Sequence, residues 1–110
     1  MDKDASNLIE RLELFEERLG VRLERVSAEL RRGHVFVMGE LHVTEGMTLD
    51  KDIWLIATFY DSEGRILDTQ EMIYMKQKFY GFEVFKILSG ELDSAQLSNI
   101  AKIRVYPKEL

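Results

Sequence analysis

The first pattern in the chain is an apolar spacing of four, three and four: Leu8, Leu12, Phe15 and Leu19, with Glu and Arg filling most positions between them. That spacing gathers the four side chains on one stripe, so it predicts an amphipathic α-helix over residues 7–19. Ser6 or Asn7 is placed to cap its start, with Glu10 three residues after Asn7 as in a capping box. Gly20 stands where a left-handed residue closes a helix, and Val21 follows to pack back on the last turn.

Val21–Leu30 has two readings. Leu23, Val26 and Leu30 keep helical spacing, which extends one helix through Gly20 to Gly33, at a cost of about 1 kcal/mol for the interior glycine. As a strand, Val21 and Leu23 share one face and Val26, Ala28 and Leu30 share one, with a bulge at Glu24-Arg25 to absorb the change of parity. Periodicity alone does not separate the two.

From Gly33 the pattern is β. Val35, Val37, Leu41 and Val43 alternate with His34, Phe36, Met38, Glu40 and His42. Gly39 falls on the inward side, where a bulge or a close backbone approach is expected. After a loop at Thr44–Asp52, Ile53–Tyr60 is apolar on both faces and rich in β-formers, which predicts a central strand. Asp61-Ser62-Glu63-Gly64 is a turn with Gly64 at the left-handed position. Arg65–Met75 is the return strand, and Phe79–Ile87 is another. Leu88–Ile100 is a polar connection with a short helix after Asp93, and Ala101–Tyr106 is a final strand stopped by Pro107. Strands of this length between turn signals predict a mainly-β, antiparallel β-sandwich over residues 21–110, with an N-terminal helical segment over residues 1–20.

The run Ile53–Phe59 followed by Tyr60-Asp61-Ser62-Glu63-Gly64-Arg65-Ile66-Leu67 resembles the FxLYD domains, small immunoglobulin-like sandwiches. Their extended strand ends in a Leu-Tyr-Asp triplet and a glycine turn; here the triplet is Phe59-Tyr60-Asp61. Val35–Leu41 is similar to that family's second strand, and Phe82-Glu83-Val84 to its later Phe-x-Val strand. Ala57 stands where the family name has Phe, and Val43 where many members carry Asn. The likeness covers residues 21–106. It implies an immunoglobulin-like fold and a strand at Val21–Leu30, and it implies no catalytic activity.

At 110 residues and 45% hydrophobic composition the chain is one domain with one core. The 15 basic residues against 20 acidic ones leave a net charge of −5, which argues against nucleic acid as a partner. The absence of cysteine excludes disulfides, a thiol nucleophile and a cysteine zinc site. Met1–Ser6 is polar and acidic, without the basic and apolar regions of a signal peptide. The apolar run Ile53–Tyr60 falls far short of the ~20 residues of a membrane span. The expectation is a cytoplasmic protein with no membrane contact.

Catalytic and metal chemistry find little support in the spacing. His34 and His42 point to the same side of one strand, roughly 26 Å apart, too far to share a metal. Glu40 and His42 are neighbours on one face and offer two metal ligands, a weak signal beside the plain reading of a surface histidine. Asp50 and Asp52 precede the central strand while Asp61 and Glu63 follow it, about 25–30 Å apart, so the four do not share a calcium ion. Each pair reads as turn chemistry. No Gly-x-Ser-x-Gly elbow and no glycine-rich phosphate loop is present. The expectation is therefore a non-enzyme with no cofactor and no metal.

Trp54 and Tyr60 fall opposite in parity to Leu55, Ala57 and Phe59, and Phe36 and Met38 opposite to Val35 and Val37. Two strands thus carry apolar residues on both faces, whereas a two-layer sandwich leaves one face of each sheet in water. The helix, a second copy of the chain or a foreign protein would cover the second face. The expected function is a protein-interaction module, self-associating as a homodimer through Leu8, Leu12, Phe15, Leu19, Phe36, Met38, Trp54 and Tyr60. The rival is a ligand-binding protein or enzyme with a pocket between helix and sheet.

Overall fold

The computed structural model describes residues 3–110; Met1 and Asp2, the first residues of the expected helical segment, lie outside the described residues. Two four-stranded sheets pack face to face. One has the order β1–β3–β4–β7, built from Lys3–Asp4, Val21–Arg31, His34–Val43 and Phe82–Leu88. The other has the order β2–β8–β5–β6, built from Ile9–Arg11, Ile100–Glu109, Ile53–Asp61 and Ile66–Tyr74. Two short helices, α1 (Glu13–Arg18) and α2 (Ser94–Ser98), lie in the connections. Among the described residues no helix is long and apolar enough to cross a membrane.

Strict alternation builds the core. Val21 and Leu23 of β3, Val35, Val37 and Leu41 of β4, and Phe85 and Ile87 of β7 point inward from one sheet. They meet Ile53, Leu55, Ala57 and Phe59 of β5 and Ile103 and Val105 of β8. Strand β5 is central, paired with both β6 and β8, as its two-sided apolar pattern requires. The turn after it has Gly64 at φ +81°. Val21–Leu30 is a strand: its register against β4 shifts between Glu24 and Ser27, and Arg25 sits at φ +56° in that bulge. The extra residue restores the parity that Leu23 and Ala28 need to face the core together.

The architecture is the expected two-layer sandwich, with β3 and β4 forming a hairpin within one sheet and β5 and β6 a hairpin within the other.

The helix expected over residues 7–19 is replaced by smaller pieces. A 3₁₀ turn at Ser6–Leu8 leads into β2, and only Glu13–Arg18 is α-helical. A helix of this length is marginal in water. The chain instead uses its backbone on two open sheet edges: β1 pairs antiparallel with β3, and β2 pairs parallel with β8. Residues 3–20 are therefore woven into both sheets and are not an appended helical segment. A buried acid fixes the arrangement. Glu16 is 2% exposed, and its carboxylate accepts hydrogen bonds from Arg11 Nε and Nη2 at 3.0 and 2.6 Å and from the Leu23 backbone N–H at 3.0 Å. Gly20, at φ +66°, still closes α1 as the sequence predicts.

The last strand does not stop at Pro107. It continues to Glu109, with Pro107 opposite Leu55. Leu110 N–H donates to the Asp52 carbonyl at 3.2 Å, and counting back by alternation turns the Pro107 nitrogen away from β5. On its other side β2 reaches only as far as Val105, so no ladder donor is lost.

Candidate functional site

Strand β7 is an edge strand whose only ladder partner among the described residues is β4. Val43 N–H donates to Gly81 at 3.1 Å and Ser89 N–H to Val35 at 2.9 Å, one at each end of the pairing. Hydrogen-bonded pairs alternate along an antiparallel ladder. The odd-numbered residues of β7 therefore bond to β4, and Phe82, Val84, Lys86 and Leu88 turn their backbone N–H and C=O to the open edge. Their side chains lie on the outer face of the sheet, where Phe82, Val84 and Leu88 are 51%, 55% and 49% exposed. Alongside on β4, Phe36 pairs with Leu88 and Met38 with Lys86. The Arg31 guanidinium sits 4.1 Å above the Phe36 ring and covers part of it.

At the Phe82 end of this face, Glu24, Glu40 and His42 converge. The register pairs Glu24 with Glu40 across β3 and β4, and His42 lies two residues along on the same face. His42 Nε2 is 2.9 Å from Glu40 Oε1 and 3.1 Å from Glu24 Oε2. Its ring stacks on Phe82 at 4.9 Å, with 8° between the planes. Arg22 Nη2 lies 3.3 Å from Glu24, and Arg25 Nε lies 3.6 Å from Glu40. His34 lies apart, with its Nδ1 2.9 Å from the Ser89 carbonyl. Sequence spacing reveals the Glu40–His42 pair; Glu24 joins it only through the β3–β4 register, which the bulge shifts.

The eight residues expected to make one interface are distributed over several surfaces. Phe36 and Met38 lie on the β4–β7 outer face. Trp54 and Tyr60 lie on the outer face of the other sheet, where Trp54 sits between Ile73 and Lys108. The Arg104 guanidinium covers the Tyr60 ring at 5.2 Å. Leu8 and Leu19 pack on the core, Leu12 is half-buried, and Phe15 is exposed with its ring edge-on to Tyr106 at 5.8 Å. The stripe fails as a surface because the helix that would align it does not form. The sequence pattern does not mark Val84 and Leu88 as edge residues, because which strand lies at a sheet edge depends on topology.

The acids flanking β5 serve turns. Asp61 Oδ1 accepts from the backbone N–H groups of Glu63 and Arg65, each at 2.9 Å, and Oδ2 accepts from Arg65 Nε at 3.0 Å. The Arg65 and Glu63 N–H groups and the Arg65 guanidinium hold its carboxyl below the usual carboxylate range. Asp52 accepts from the Lys76 N–H at 2.9 Å. Burial, reinforced by the charge of Glu83, pushes the Tyr74 phenol up to about 12, so it stays a neutral core group. Between α1 and the end of β8 lies a depression of about 260 Å³ lined by Phe15, Arg18, Leu19, Pro107, Lys108 and Glu109. A larger groove, about 580 Å³, has Leu8, Leu30 and Leu97 in its lining and Lys3, Arg31 and Arg32 among its charged groups.

These features define a mainly-β protein of two packed sheets with an open, apolar sheet edge at β7. No family model and no curated protein matches the sequence. Among solved structures, the crystal structure of a DUF1425 family member from Shewanella sp. pv-4 is similar. The TM-score is 0.51 at 14% sequence identity, over 82% of this chain and 78% of that one. At that identity the likeness concerns the fold alone.

Proposed function

We propose that this chain is a non-enzymatic interaction module that self-associates by pairing β7 with β7 of a second copy. The observation that carries this reading is the coincidence, on one edge, of outward backbone groups at Phe82, Val84, Lys86 and Leu88 with exposed apolar side chains at three of them. A long apolar edge strand is a template for a further strand. An antiparallel β7 pair has two-fold symmetry and is self-complementary. Centred on Phe85, it sets Phe82 against Leu88 of the second copy and Val84 against Lys86 of the second copy, and it avoids the Lys86–Lys86 contact of a register centred one residue further on. Phe36 and Met38 then extend the apolar face beside the seam.

Of the other edge strands, β1 and β2 are only two and three residues long, and β6, although it exposes Ile66 and Ile73, is a poorer candidate. On β6, Glu71 lies opposite Ile56 on the outer face, and Asp68 is engaged by the Gly90 N–H at 2.7 Å. For the rival pocket reading, the depression beside α1 is below the ~300–1,000 Å³ usual for ligand sites, whereas the groove of about 580 Å³ beside Leu8, Leu30 and Leu97 falls within that range and is the place to look for a ligand. The FxLYD likeness is compatible with a contact role, because that motif is structural.

Light scattering after size exclusion, over a range of concentrations, tests the proposal. The wild type should reach twice the chain mass of 12.9 kDa. Val84→Pro removes an outward donor and leaves the ladder to β4 intact, so it should stay monomeric with an unchanged fold by circular dichroism. A wild type that stays monomeric, or a Val84→Pro variant that dimerises like the wild type, overturns it.

A further inference from the structure

We propose that Glu24, Glu40 and His42 form a binding site for a first-row divalent metal ion of the zinc class. The ligand-bearing atoms of the three side chains all lie within 4.8 Å of one another. Zinc bonds of about 2.0–2.1 Å in tetrahedral geometry place neighbouring ligand atoms about 3.3 Å apart. His42 Nε2 already stands 2.9 Å from Glu40 Oε1 and 3.1 Å from Glu24 Oε2. Side-chain adjustment that opens these two contacts slightly, with the Glu24 and Glu40 oxygens within 4.8 Å of each other, makes room for the ion.

The donor set favours this class of ion. One imidazole nitrogen with two carboxylates suits zinc and its first-row neighbours, whereas calcium takes six to eight oxygens. The positions are held by the ladder: Glu40 and His42 share the outer face of β4, and Glu24 is the register partner of Glu40. Stacking on Phe82 fixes the plane of the imidazole and so the direction of Nε2. Arg22 and Arg25 balance the two carboxylates, and their side chains are 54% and 81% exposed. Exposed ion pairs of this kind contribute little, so a divalent cation displaces them readily. Three protein ligands leave a fourth position for water, which makes the site an open one.

The test is calorimetric titration of zinc chloride into the full chain without a histidine tag, with the imidazole signals of both histidines followed by NMR. The expected result is one-to-one binding that shifts His42 and leaves His34 unmoved. Glu24→Gln and Glu40→Gln, both near-isosteric and on the outer face, should each weaken binding by about tenfold or more. His42→Ala should abolish it, and His34→Ala should leave it unchanged. Absence of a His42 shift at millimolar zinc overturns the proposal. So does binding that survives Glu24→Gln at wild-type strength, because the ion would then sit on other surface carboxylates. Because Phe82 stacks on His42 and also lies in the proposed β7 seam, the zinc titration is run at a fixed low protein concentration and repeated on Val84→Pro; a zinc-dependent His42 shift in both tests the metal site separately from the β7 pairing.

Discussion

The ring of Phe85 lies against the backbone of Gly39, its register partner on β4: a Cβ at Gly39 would stand 2.8 Å from Phe85 Cζ and 3.1 Å from Val26 Cα. The inward side chain that alternation calls for at Gly39 is supplied by Phe85 from the next strand. Gly39→Ala forces the ring and the β3 bulge apart together, and overpacking of this kind costs about 1–3 kcal/mol. Urea denaturation should show a lowered midpoint of that size; an unchanged midpoint would mean that the contact relaxes freely.

Glu16 carries the second prediction. Its carboxylate is bonded to the Arg11 side chain and to the Leu23 backbone N–H, and it ties α1 to β2 and β3. Glu16→Ala leaves a buried donor without its acceptor, and the loss should be about 2–3 kcal/mol, at the lower end for a buried pair because Arg11 stays partly in water. The same denaturation experiment measures it. Substitution of exposed Glu17 to Ala should change stability by less than about 0.5 kcal/mol.

Asp61 makes a pH prediction. Its folded-state pKa lies below the ordinary value of 3.8. The stability gained from its charge is therefore fully present above that value and is lost as pH falls through the lower folded-state value. Asp61→Asn keeps an acceptor for the two backbone N–H groups but not the charge. At pH 6 the variant should be less stable than the wild type, and the two should converge as the solution is acidified through the lowered folded-state pKa. Parallel stability curves over that range would show that the charge is not what the turn uses.

Most of the sandwich was legible because its strands carry period-two patterns with strong punctuation. Gly33, the Asp61–Gly64 turn and the Asp93 cap bound β4, β5 and α2 where the sequence places the breaks. Asp93 accepts from the Gln96 N–H, and the Gln96 side chain accepts from the Asp93 N–H. The N-terminal residues were misread for a physical reason. Strands of two and three residues show no period, and the spacing of Leu8, Leu12, Phe15 and Leu19 is met by residues that reach the core or the surface from three different local conformations. Pro107 looked like a stop because the side of β8 on which its nitrogen faces is a property of the neighbours. The candidate sites depend on the same long-range information: β7 is an edge only because no strand follows it in the sheet, and Glu24 meets His42 only through cross-strand register.

The most direct measurement of the central claim is amide hydrogen exchange along β7 as a function of protein concentration. In the β7-paired dimer, the outward N–H groups of Phe82, Val84, Lys86 and Leu88 gain hydrogen-bond acceptors from the second copy. The account predicts that their protection rises with concentration towards that of Glu83, Phe85 and Ile87, which bond to β4 in monomer and dimer alike. Rapid exchange at these four positions at every concentration, beside protected odd-numbered neighbours, would contradict it.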